Sequence, residues 1–525
     1  MKRFLLPFFL ITFLFTACTP VQTAIPQPKP TPATGVQTTV QPETMPAGQI
    51  SPTVTEKPKG KKSPDTSISS TKTKGKNTPE PSASTEKTKG KNPETVPTYA
   101  IPEMIAAEIS GRPTETSITL NVVPAVPMEI SYEYGTASGA YSSQTVSQTA
   151  AAGVPLETLI DGLKPNTRYY YRIRYGSTTG QEHTFVTQRA PGSSFTFDIQ
   201  GDSHPERVGK EFDATLYTRT LQSAAADQPD FYMTIGDDFS VDQLKTVNAE
   251  TVKELYIHQR QWLGLVGAPV FLVNGNHEQA SLANLNNSPD NVAVWAQTAR
   301  NTYFPEPAPD PFYSGDTETV NFIGQLRDYY AFTWGDALFI VIDPYWHSQT
   351  TVDNSFGGGH EDKKNRDLWN VTLGDTQYQW FKQTLETSTA KYKFVFTHHI
   401  LGTGRGGIEL ADSYEWGDAV HLAENRPGWD KTIQQLMADN HVTIFFQGHD
   451  HIFVHQELDG VIYQTLPEPA NPNYSLENAD AYLSGDKLPN SGHVRVNVSP
   501  NGVKVDYIRS YLDQPDELAF SYTIP

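Results

Sequence analysis

The chain is nearly devoid of cysteine: Cys18 is the only one among 525 residues. That excludes a disulfide framework, a thiolate zinc site and an iron–sulfur cluster. Beyond the first 17 residues, no run approaches the ~18 apolar residues that a membrane-spanning helix needs, so the chain is not polytopic. Positive charge is also scarce, with Lys+Arg at 40 against Asp+Glu at 59 and a formal net charge of -19. The imbalance deepens once the N-terminal hundred residues are set aside, because 12 lysines and Arg3 lie there against 6 acids. Residues 100–525 then hold 27 basic and 53 acidic residues, a net of -26. So acidic a body is poorly suited to nucleic acid, whose phosphate backbone is bound through Lys and Arg. The length suggests about three domains at roughly 150 residues each.

The N-terminus reads as an address. Met1, Lys2 and Arg3 give a positive start, and Phe4 to Phe15 is an apolar run too short to span a bilayer. Phe15-Thr16-Ala17-Cys18 resembles the lipobox of a bacterial lipoprotein signal, with Phe where Leu is usual. Residues 1–17 are then a signal peptide, and Cys18 carries the lipid. Stable attachment takes more than one acyl chain, and the protein is expected at the bacterial cell surface or envelope. Residues 18–99 are rich in Pro, Thr, Ser and Lys and nearly free of aromatic residues, too little apolar surface to offset chain entropy. This segment reads as a disordered tether reaching roughly 50 Å. It repeats Lys-x-Lys-Gly-Lys at Lys57, Lys72 and Lys87, either as a solvated spacer or as a contact for anionic wall polymer or lipid headgroups.

From 100 to 190 the pattern is β. Ser117 to Val123 and Met128 to Tyr134 alternate with period two, and Gly- and Ser-rich turns separate the runs. Leu163-Lys-Pro-Asn-Thr-Arg-Tyr169 carries a resemblance to the fibronectin-type-III-like domain that precedes the catalytic domain in purple-acid-phosphatase-like proteins. It implies a β-sandwich and no chemistry.

Chemistry begins near residue 195. Five apolar strand signals each end in a short polar cluster: Ser194 to Gln200 before Gly201-Asp202-Ser203-His204, and Asp230 to Ile235 before Gly236-Asp237-Asp238. Pro269 to Val273 precedes Asn274-Gly275-Asn276-His277-Glu278, Tyr392 to Thr397 precedes His398-His399, and Val442 to Phe446 precedes Gly448-His449-Asp450-His451. In an open α/β sheet, ligands bind beyond the carboxyl ends of the strands, so five clusters at one rim predict one metal site. Asp, Asn and His without thiolate suit Mn, Fe or Zn. Two such cations can clamp the attacking and leaving oxygens of phosphoryl transfer.

These motifs, in this order, resemble the calcineurin-like metallophosphoesterases over roughly 193–510. The resemblance implies an α/β catalytic domain (193–525), a metallophosphoesterase β-sandwich flanked by helices, after the small all-β fibronectin-type-III-like domain (100–190). It implies two divalent or trivalent metal ions, one bound by Asp202, His204 and His451 and the other by Asn276, His398 and His449, with Asp237 bridging. A hydroxide held between the metals would attack phosphorus. His277 would bind neither metal and would stabilise the transition state or protonate the leaving oxygen, steered by a carboxylate such as Glu278. Choosing His398 over His399 follows the family's ligand at the first position after the strand. Purple acid phosphatases differ: they have Tyr where Ser240 stands and lack the His that is present as His204, so no ferric–tyrosinate centre is expected.

Outside the motifs, Arg405 lies between glycines in a loop after His398 and reads either as a ligand of substrate phosphate or as a surface arginine. Gly374 to Leu385 reads as a helix with Trp380 in the core, and His493 as a structural residue on a closing strand. The small phosphate ester expected as substrate leaves three activities open: a phosphomonoesterase, a phosphodiesterase of the same fold, and a surface binding protein with structural metals.

Overall fold

The computed structural model describes residues 103–350, 367–402 and 404–525, all within one compact unit, 89–525. The expectations for residues 1–17, for Cys18 and for the tether at 18–99 lie outside the described residues.

Residues 109–186 form two antiparallel sheets facing one another. Ile109–Gly111, Ile118–Val122 and Leu156–Ile160 make one; Met128–Gly135 and Arg168–Tyr175 are the centre of the other. Alternation puts Tyr169, Tyr171, Ile173 and Tyr175 inward, against Ile118, Leu120, Val122 and Ile160 of the facing sheet. The Lys164 backbone N–H donates to Tyr169 Oη at 2.8 Å, the tyrosine corner that closes many β-sandwiches.

The remaining chain builds two larger sheets packed face to face. In the first, β1 (Phe195–Gln200), β2 (Phe231–Thr234) and β3 (Val270–Leu272) run parallel. In the second, β4 (Tyr330–Trp334) pairs antiparallel with β5 (Ala337–Val341), which runs parallel to β6 (Tyr392–Phe396), β7 (Ile444–Gln447) and the neighbour of β7, β9 (Val461–Thr465), with β8 (Phe453–Leu458) antiparallel on the far side of β9. The first sheet is completed by β10 (His493–Ser499), antiparallel to β1, and by β11 (Gly502–Arg509) and β12 (Glu517–Ile524). The five motif strands are therefore divided between two sheets rather than set along one, three in the first and two in the second. Each is buried on both faces, so periodicity could not assign it to a sheet.

Alternation within each strand separates three apolar layers. Phe197, Phe231, Phe271, Phe339, Phe394, Phe396 and Phe446 fill the space between the sheets. Phe339 sits at the middle, 5.1 Å from the rings of Phe197, Phe231 and Phe332. On the outer face of the first sheet, Tyr232, Val270 and Leu272 meet α1 (Ala214–Ala226), α2 (Ala249–Leu263) and α3 (Val292–Tyr303). Outside the second sheet, Leu338, Ile340, Val395 and Phe445 meet α4 (Gly374–Thr387) and α5 (Ile433–Asp439). Trp380 on α4 is half-buried at the edge of that cluster, against Tyr329. The helices on the first sheet begin with side-chain caps, as Asp213 accepts from Thr215 N and Leu216 N, and Asn248 and Asn291 do likewise for α2 and α3.

One buried cation joins the small sandwich to this body. Arg260 of α2 donates to the carbonyls of Ala107 at 2.7 Å, Asn121 at 2.6 Å and Tyr303 at 2.9 Å, and to Asn121 Oδ1 at 2.5 Å. Burial lowers its pKa to about 10. The planar fork of guanidinium donors is what reaches four acceptors on three segments. Arg260→Ala should therefore cost about 1–3 kcal/mol for each buried acceptor left unpaired, and Arg260→Lys should recover little of it. Chemical denaturation of both variants checks this; full recovery by lysine would show that charge alone matters there.

Candidate metal centre

The carboxyl ends of β1, β2, β3, β6 and β7 meet at one rim, and their polar clusters converge. Asp237 Oδ2 is at the middle, 3.1 Å from His398 Nε2, 3.8 Å from His204 Nε2 and 3.9 Å from His277 Nε2. Asp202 Oδ2 lies 3.3 Å from His451 Nε2 and 3.9 Å from both His204 Nε2 and His398 Nε2. Asn276 Oδ1 is 3.0 Å from His398 Nε2. Two groups have ligand atoms close enough to share an ion: Asp202 with His204 and His451, and Asp237 with His398 and His449. His277 also falls within such reach of His204 and Asp237.

The backbone is strained where these side chains leave it. His204, Asp237, His449 and His451 all have positive φ, at 41°, 57°, 66° and 66°, a conformation that costs about 1–3 kcal/mol per non-glycine residue and concentrates at functional sites. Two glycines allow the close approach. A Cβ on Gly448 would meet Asp202 Oδ1 at 2.6 Å, and one on Gly275 would meet Asp237 Oδ1 at 2.2 Å.

Electrostatics show what the site demands. Burial disfavours charge on Asp202, yet His398 and His451 outweigh it and bring the carboxyl down to about 2. Burial likewise opposes protonation of His398, but Asp237 and Asp202 push it up to about 10. The two buried carboxylates thus call for positive charge beside them. His204 and His449 behave oppositely, both depressed chiefly by burial, and the Nε2 atoms of these neutral rings are buried with no hydrogen-bond partner. Ionised carboxylates beside unpartnered neutral imidazole nitrogens fit divalent metal ions.

Further residues orient the ligands, as is usual for metal-binding histidines. His398 Nδ1 lies 3.0 Å from the Ile235 carbonyl, which leaves Nε2 to face the centre. His204 Nδ1 is held by Glu206 at 3.0 Å and by Ser240 Oγ at 3.2 Å. The position that holds Tyr in purple acid phosphatases therefore supports the extra histidine here. Glu468 Oε1 lies 3.1 Å from His451 Nδ1. His399 is turned away from Asp237, and its Nδ1 meets Tyr345 Oη at 2.9 Å.

Two sequence expectations need correction. Glu278 does not steer His277: its carboxylate accepts from the backbone N–H groups of Gly275 (2.5 Å), Phe239 (3.0 Å) and Asp237 (3.2 Å), tying two motif loops together. The carboxylate on His277 is Asp242, whose Oδ1 lies 2.8 Å from Nδ1. Burial would lower the pKa of His277, but Asp237 and Asp242 raise it to about 9. Nor does Arg405 reach into the centre, since it donates to Asp450 Oδ1 and to the His449 carbonyl, both at 2.9 Å. It positions the loop of His449 and His451. The cation near the centre is Arg207, paired with Glu211 and Glu206, whose charge is felt by His204, His277 and His451. Glu468 was missed because only the fold brings it in, whereas Glu206 and Arg207, just after His204, and Asp242, five residues after Asp237, were within reach of a motif search.

The model of the calcineurin-like phosphoesterase family matches residues 195–453. Residues 195–453 are thus similar in sequence to the calcineurin-like phosphoesterases. Purple acid phosphatase 23 of Arabidopsis thaliana is 23% identical over 370 residues, 64% of this chain and 66% of that protein. Among solved structures, PhoD superposes with a TM-score of 0.59 at 16% identity, covering 81% of this chain and 91% of that one. The purple acid phosphatase PPD1 from yellow lupin (Lupinus luteus) seeds superposes with a TM-score of 0.53 at 17% identity, covering 80% and 74%. These structural likenesses extend the shared fold beyond residues 195–453.

If Asp237 is shared between two ions, Asp237→Ala loses both, whereas Gly448→Ala should weaken binding about 10–100-fold by displacing Asp202. Metal content of the purified variants checks both; an Asp237→Ala protein that kept its full complement would refute the sharing.

Proposed function

We propose that the protein is a metal-dependent phosphoric ester hydrolase, a phosphomonoesterase with a dinuclear centre, held at the bacterial cell surface by a lipid on Cys18 and the tether at 18–99. The observation that carries the reading is the position of Asp237 Oδ2, within 4 Å of imidazoles from three different motifs. Asp202, His204 and His451 would hold one ion, Asn276, His398 and His449 the other, with Asp237 common to both. Ions of the Mn, Fe or Zn class there supply Lewis-acid stabilisation of phosphoryl oxygens and acidify water. The tyrosine corner at Tyr169 supports a fibronectin-type-III assignment for the small sandwich.

The protein's own groups then divide the work. His277 is 15% exposed, and Asp242 fixes its Nδ1 while Nε2 faces Asp237. A cationic imidazole so placed stabilises charge on the phosphoryl group and can donate a proton to the leaving oxygen. Arg207 at the mouth is a guanidinium suited to bidentate contact with a phosphate. Ser240 and Glu206 hold the ring of His204 in place, and Glu468 acts on His451 through its charge. Asp450 keeps Arg405 on the ligand loop, so Arg405 takes no part in substrate contact.

The test is hydrolysis of p-nitrophenyl phosphate against bis-p-nitrophenyl phosphate by the full chain loaded with Mn, Fe or Zn. Monoester preference is expected. Asp242→Asn should keep its metals and lose about 10–100-fold in kcat with little change in KM. Arg207→Ala should mainly raise KM. Diester preference would reverse the substrate assignment, and a metal-replete protein without turnover on either would overturn the enzymatic reading.

A further inference from the structure

A second buried cluster lies on the opposite face of β1. Phe197 and Ile199 point into the core between the sheets, so Asp198 points outward, towards α1. Asp198 is four residues before Asp202, about 13 Å along a strand. Its neighbours in register are Tyr232 on β2 and Arg495 on β10. Asp198 is fully buried, and neither carboxylate oxygen has a hydrogen-bond partner. Leaving an acid in this state is costly, whether ionised or protonated, since a protonated carboxyl still carries a donor that needs an acceptor.

Two further ligand atoms face it. His493 Nε2, at the start of β10, is 3.9 Å from Asp198 Oδ2 and 3.1 Å from Asp227 Oδ2, a hydrogen bond that a shared ion would replace, and all three groups lie within ligand reach of one another. Two bonds of about 2.1 Å to one ion span at most about 4.2 Å, so a single cation bridges both separations. The other oxygen of Asp227 is taken by Arg495 Nη1 at 2.7 Å, which turns Oδ2 towards His493. Arg495 also pairs with Asp506 at 2.9 Å, where Lys504 lies as well. The positive charges in this region are thus shared with Asp506. Access exists, because Asp227 lines a cavity of about 510 Å³ between the small sandwich and the sheet, together with Arg168, Arg189 and Asn497.

We propose that Asp198, Asp227 and His493 form a separate divalent-cation site, of the Zn²⁺ or Mn²⁺ class, that fastens the end of α1 to β1 and β10. Two carboxylates and one imidazole suit these borderline ions. His493 is then a structural residue acting as a ligand. The site shares no residue with the centre at the rim and holds its ion whatever reaction the rim supports.

The experiment is metal content of the full-length protein, dialysed against excess Zn²⁺ or Mn²⁺, desalted and measured by mass spectrometry. Asp198→Asn keeps the shape and removes the charge; it should hold one equivalent less than the wild type, and so should His493→Gln. Asp237→Ala should retain that equivalent. The wild type should lose thermal stability on chelation by more than Asp198→Asn does. If a buried substitution prevents folding, Asp227→Asn, at a partly exposed position, is read in the same way. Equal metal content in the wild type and the folded variants would overturn the site and show that Asp198 is a neutral acid.

Discussion

Much of the molecule is arranged so that one carboxylate, Asp237, can sit ionised and buried among imidazoles. Its backbone is left-handed, its N–H is held by Glu278, and its Oδ1 accepts from His277 N at 2.9 Å. Only Oδ2 remains to face the histidines. Asp202 is held comparably by the His449 backbone N–H, 2.9 Å from Oδ1. Each carboxylate is thus clamped by the loop of a different strand, and the five loops cannot move independently. The strain in His204, Asp237, His449 and His451 is sustained because these cross-loop bonds over-determine the backbone.

A rim of this kind requires two sheets held at fixed separation. The aromatic layer around Phe339 sets that separation, and ring packing resists small displacements because interiors are close-packed. Helices cover both outer faces, and Arg260 locks the small sandwich onto α2 and α3. The sandwich therefore buttresses the sheet that carries Asp202 and Asp237, even though it supplies no residue to the centre.

How far the sequence disclosed this follows from where each signal resides. Each motif residue stands just after an apolar strand, so local pattern was enough to predict that Asp202, His204, Asp237, Asn276, His398, His449 and His451 lie together. The tyrosine in Leu-x-Pro-x-Thr-x-Tyr was likewise local. Sheet membership was not local, because strands buried on both faces carry no period that distinguishes one sheet from two. Supporting residues were legible only when adjacent in sequence: Glu206 was within reach, whereas Glu468 arrives from the turn after β9. Glu278 was misread for the converse reason. It adjoins His277 in the chain, but the short turn of Asn276 to Glu278 aims its carboxylate back at the N–H groups of Gly275 and Asp237, and a residue five positions after Asp237 reaches the ring instead.

The same logic bears on charge. A body with a net of -26 should repel an anionic phosphate ester, yet charges beyond about 8–10 Å are largely screened at physiological salt. What an incoming anion meets is the local field. At the rim that field comes from His277, raised to about 9, and from Arg207, with the carboxylates of Asp202 and Asp237 committed to the histidines and to any ions they hold. Glu206 and Glu211 restrain Arg207 by pairing with it, so a phosphate must offer the guanidinium better geometry than they do. On the proposed reading, that competition would favour compact, doubly charged anions over singly charged ones, and it would give a physical reason for preferring a monoester to a diester.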